Sequence, residues 1–63
     1  MSGPRLPIIE RAYQIADSGA VASTRDLRRL LVKEGYPHSQ VTGELTGLAI
    51  RRSLTTRIAK ARS

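Results

Sequence analysis

A chain of 63 residues leaves room for one domain, and at this size only about 60% of the unfolded surface is buried on folding, so the core is marginal. Eleven Lys and Arg against five Asp and Glu give a formal net charge of +6, which favours a nucleic acid, an anionic membrane or an acidic protein surface as partner. The absence of cysteine excludes disulfides and thiolate metal sites together, and one histidine, His38, cannot supply the tetrahedral ligand set of a structural zinc.

Gly3 and Pro4 punctuate the start, and residues 1–6 are expected to form a disordered lead-in. "MSGPRLP" has neither the apolar run nor the small-residue cleavage pattern of a secretory signal. No apolar stretch approaches the roughly 18 residues of a membrane span, so a soluble cytoplasmic protein is expected. Pro7 suits the first turn of a helix, where a missing N–H costs nothing. Ile8, Ile9, Ala12, Tyr13, Ile15 and Ala16 then fall within one arc, and Glu10, Arg11, Gln14 and Asp17 fill the other side. Gly19 is the stop.

After the short link "AVAS", Ser23 and Asp26 form a capping box with Asp in place of Glu. Leu27, Leu30 and Leu31 make the apolar stripe of a second helix, Arg25, Arg28, Arg29 and Lys33 lie outside it, and Gly35 closes it. Pro37 forces a break. Ser39 is the predicted N-cap of a third helix carrying Val41, Leu45 and Leu48 at i, i+4 and i+7. A further stripe, Ile50, Leu54, Ile58 and Ala61, is out of phase with it: on one straight helix Ile50 would lie about 180° from Val41. A break near Thr46 and Gly47 resolves the conflict, with Thr46 as the expected cap of a fourth helix.

The expected helices therefore run over about 7–18, 24–34, 39–46 and 48–61, within a single domain over 7–62. No period-two pattern occurs. The predicted class is all-α, a compact three- to four-helix bundle containing a helix-turn-helix-like unit.

"GYPHSQVTGEL", residues 35–45, is similar to the "G-x-S-x-x-T-V-S-R-x-L" signature of bacterial repressor and transposase DNA-binding modules. Gly35 falls on the turn glycine, and Val41 and Leu45 on the buried positions of the recognition helix. His38, Ser39, Gln40 and Thr42 fall on or beside the positions that such modules use on DNA. Gly43 stands where the signature carries arginine, so the commonest guanine-reading fork is absent. Gln40 can read adenine and Ser39 can hold a phosphate, while the alternatives are a solvated helix face for Gln40 and Thr42 and a plain N-cap for Ser39. A second resemblance covers most of the chain: "IERAYQIADSG", "STRDLRRLLVKEGY" and "TGLAIRRSLTTRIAKAR" look like a group of short, uncharacterised bacterial proteins. It implies a self-contained helical unit and carries no activity across.

Nine of the eleven cations are arginine, the residue suited to forked contacts with phosphate or carboxylate. Five cations lie in the last thirteen residues, after the last acid, Glu44. On a helical wheel Arg51 and Arg62 flank one edge of the last stripe and Arg57 and Lys60 the other, with Arg52 well outside. The DNA-binding residues expected are thus His38, Ser39, Gln40, Thr42, Arg25, Arg28, Arg51 and Arg52, with Arg57, Lys60 and Arg62 as a secondary basic surface. No nucleophile–base pair, paired carboxylates or phosphate loop is present, so no enzyme, metal or cofactor is expected. The functional expectation is a DNA-binding regulator or accessory factor. The alternative is an interaction module that docks an acidic protein or pairs with its own copy as a homodimer.

Overall fold

The computed structural model of the protein describes residues 6–63. Four helices follow one another: α1 (Ile8–Ser18), α2 (Thr24–Lys33), α3 (His38–Leu45) and α4 (Leu48–Arg62). The described residues contain no strand, and the architecture is an all-α bundle. α1 touches the other three helices, and its interface with α4 is the most extensive. Of the expected lead-in, residues 1–5 lie outside the described residues. Leu6 is anchored, because its carbonyl accepts a 2.7 Å hydrogen bond from the Tyr36 hydroxyl.

α1 buries Ile8, Ala12, Ile15 and Ala16, a spacing that places all four on one side. Ile9 and Tyr13 lie half-buried at the margin of that face. Pro7 sits just outside the helix with an extended ψ of 142°, and its carbonyl receives the Arg11 N–H at 3.1 Å. Gly19 ends the helix with a φ of 80°, the left-handed region in which a β-carbon is strained. The link that follows contributes Val21 to the core.

α2 begins as the residues dictate. The Ser23 hydroxyl accepts the Asp26 N–H at 3.2 Å, and Asp26 places a negative charge in the first turn, where the helix dipole favours it. The helix ends in a Schellman turn: Tyr36 N–H bonds to Leu31 C=O at 3.1 Å and Gly35 N–H to Val32 C=O at 3.0 Å. Gly35 takes a φ of 110°, and Tyr36 folds into the core beside the fully buried Leu31 and Leu27.

Two expected caps are corrected. α3 starts one residue earlier than expected, at His38, with Pro37 as N-cap and no side-chain cap bond. The proline holds φ −58° and ψ 138°, and its carbonyl takes the Val41 N–H at 3.0 Å, so Ser39 falls inside the first turn, exposed. Nor does Thr46 cap α4. Its backbone continues the α3 turn at φ −99°, and its hydroxyl donates back to Thr42 C=O at 2.7 Å, which leaves Gly47 as N-cap without a side-chain bond. The chain does break at Thr46 and Gly47, as the phase conflict requires. Beyond that break Leu54 and Ile58 are buried, Ile50 and Ala61 half-buried, and Leu48, expected on the α3 stripe, is 62% exposed.

The core is wholly apolar, with no buried polar or charged side chain among the described residues. Two clamps cross its surface. Arg11 forks onto Glu34 at 2.8 and 2.7 Å, tying α1 to the end of α2, and this hydrogen bonding holds the Glu34 carboxyl below its ordinary titration range. Arg57 donates to Asp17 at 2.8 Å while its guanidinium lies 4.4 Å from the centre of the Tyr13 ring.

Two glycines should answer the same substitution with opposite signs. A β-carbon on Gly43, inside α3, meets nothing within 4 Å, so Gly43→Ala should stabilise by about 1 kcal/mol through helix propensity alone. Gly19→Ala should destabilise by about 1 kcal/mol, the strain of a left-handed alanine. In thermal unfolding the two midpoints should move apart, each by roughly 4–8 °C from the parent. A lowered midpoint for Gly43→Ala would contradict the open face of α3.

Candidate functional site

Arg25, Arg28, Arg29 and Val32 stand at i, i+3, i+4 and i+7 on α2, which aligns them on one face. The buried Leu27 and Leu31 fix the opposite face in the core. On α3, His38, Val41 and Thr42 stand at i, i+3 and i+4. The Schellman turn and Pro37 set the two helices so that these rows face each other across a groove of about 460 Å³. Val32 is 38% exposed at its side, and the rim carries three guanidinium groups, an imidazole and a hydroxyl.

No carboxylate lines this groove. Among the described residues Arg25, Arg28 and Arg29 make no ion pair and no side-chain hydrogen bond, whereas Arg11 and Arg57 are each held by an acid. The three groove arginines therefore project uncompensated charge into one concave surface, where low-dielectric walls strengthen the field. Forked donors in this density suit oxyanions, phosphate above all.

The structure divides the sequence-predicted residues into groups. His38, Thr42, Arg25 and Arg28 come together in the groove. Ser39 and Gln40 are exposed on α3 but do not line it. Arg51 and Arg52 lie apart, in a shallow depression on α4 with Leu48, Thr55 and Thr56. Arg57 is engaged by Asp17 and Tyr13, and Lys60 shares a depression with that same Asp17. Arg62 lies beside Ser23 and Thr24, across from the start of α2.

Sequence reasoning missed Arg29 and Val32 as groove residues. The signal was present: applying the helical period to the cations of α2, as well as to its leucines, gathers 25, 28, 29 and 32 on one side. Among the described residues no cluster of His, Asp and Glu could hold a metal ion, and no helix is long and apolar enough to cross a membrane. Compared with family models, curated proteins and solved structures, the chain matches none.

Proposed function

We propose that the protein is a small basic DNA-binding protein of helix-turn-helix type, a cytoplasmic regulator or accessory factor that acts by binding and not by catalysis. α2 braces, α3 meets the duplex, and the arginines of the α2 face hold backbone phosphates. The observation that carries this reading is the acid-free groove between α2 and α3, in which His38 and Thr42 sit beside Arg25, Arg28 and Arg29. Ser39 and Gln40, on the outward side of α3, remain the candidates for a phosphate contact and for adenine. A protein partner is the second reading, favoured by one feature: Val32 offers an apolar foothold among the arginines for an acidic chain.

Titration of a mixed-sequence duplex at several salt concentrations tests the proposal. Binding should weaken steeply between about 50 and 200 mM salt, with a log–log slope near −0.9 per phosphate contact. A chain that fails to bind duplex DNA at the lowest salt would remove DNA as the partner and leave the acidic protein.

A further inference from the structure

We infer that the DNA-holding surface does not end at the α2–α3 groove but continues over the start of α2 onto α4, as one track for the backbone of a duplex. This rests on the DNA-binding reading and extends it to α4. Two further depressions carry the argument. One, of about 280 Å³, lies between the α2 start and α4 and includes Thr24, Thr55 and Arg62. The other, of about 420 Å³, runs along α4 and includes Thr55, Arg51 and Arg52. Thr55 belongs to both, so these two hollows share a wall, and Arg25 of the groove follows Thr24 directly in α2.

The charge along this path has one sign. Arg25, Arg28, Arg29, Arg62, Arg51 and Arg52 line it, and no Asp or Glu does. None of the six is held in an ion pair among the described residues. The contrast lies elsewhere on α4: the depression with Arg57 and Lys60 contains Asp17, which already binds Arg57. Two of the five acids, Glu34 and Asp17, are engaged by arginines off the track, Arg11 and Arg57. Exposed threonine hydroxyls between arginines are a common setting for phosphate oxygens.

The occupant is double-stranded. Single strands are held largely by stacking bases on aromatic rings. Beside His38 the chain has two tyrosines and no Phe or Trp, and both tyrosines are occupied. Tyr36 is buried with its hydroxyl on Leu6, and Tyr13 is half-buried beneath Arg57 with its hydroxyl on Ser53. Apart from the His38 imidazole at the groove, the track offers charge and hydroxyls to a backbone and no ring to a base, so its grip is independent of sequence.

The test uses the full chain and a labelled mixed-sequence duplex, followed by fluorescence anisotropy over a salt series. Arg51→Gln, Arg52→Gln and Arg62→Gln are combined in one variant, all three positions being exposed, with circular dichroism confirming the fold. The variant should bind every duplex sequence roughly 10- to 100-fold more weakly, and its salt slope should flatten by about 0.9 for each phosphate the variant no longer neutralises. Lys60→Gln removes one charge off the track and should leave affinity within about twofold. Parental affinity and slope in the triple variant, with binding abolished in an Arg25→Gln, Arg28→Gln variant, would confine DNA to the groove. That overturns the track and spares the DNA-binding reading. A weakening from Lys60→Gln equal to that per track arginine would reduce the effect to net charge and also overturn it. Tighter binding of a single strand than of the duplex would overturn the occupant. No binding by the parent protein would defeat the underlying reading itself.

Discussion

Leu27→Ala is expected to remove a large share of the protein's stability, about 3 kcal/mol within a usual span of roughly 2–5. Leu27 has no exposed surface, and it sits on α2 directly behind the groove arginines. At roughly 0.05–0.15 kcal/mol per residue, a chain of this length holds only about 3–9 kcal/mol in total. The substitution should therefore leave a sizeable unfolded population without denaturant. Urea unfolding followed by circular dichroism should show a much lower midpoint at an unchanged slope, since the slope reports surface exposed and not stability. Leu27→Met, which keeps the volume, should cost less than about 1.5 kcal/mol. A cost for alanine no larger than that for methionine would mean that this part of the core is not packed as described.

Replacing Arg25, Arg28 and Arg29 together by alanine is expected to lower affinity for duplex DNA on the order of 100-fold. Three surface charge pairs at about 1 kcal/mol each, with Arg25 and Arg29 exposed and Arg28 half-buried, combine to that factor. The log–log salt dependence should flatten at the same time, by about 0.9 for each phosphate left without its arginine. The fold should survive, because none of the three makes a side-chain bond among the described residues and alanine is the best helix former. An anisotropy titration beside a far-ultraviolet spectrum checks both statements. Undiminished affinity in a folded variant would show that the groove is not where DNA sits.

The order of the helices was legible because each boundary has a local chemical cause. Gly19 needs a left-handed backbone, Ser23 has a free hydroxyl for the Asp26 N–H, and Gly35 alone tolerates the Schellman turn. The division between α3 and α4 followed from two apolar stripes that no straight helix could bury together. What escaped was decided by distant neighbours. Val21 and Tyr36 are core residues in connections, where no period marks them. Ser39 has the better capping side chain, but Pro37 already holds the extended backbone from which α3 departs. At the site, the arginine-rich faces could be read from spacing, whereas the pairing that silences some cations could not. Arg11 meets Glu34 23 residues away, and Arg57 meets Asp17 40 residues away. Only the fold shows which arginines remain available.

The extensive interface between α1 and α4 joins the first helix of the chain to the last. The two helices are far apart in sequence, so these surfaces meet only when the segment between them has folded back. Closing so long a loop carries an entropic cost before any packing repays it. Assembly is accordingly all-or-none, as in most small domains. The groove shares that core, because Leu27 and Leu31 on the back of α2 belong to the same buried cluster as Leu54 and Ile58 of α4. A chain cut ahead of α4 is therefore expected to lose the shape of the groove together with the rest of the core.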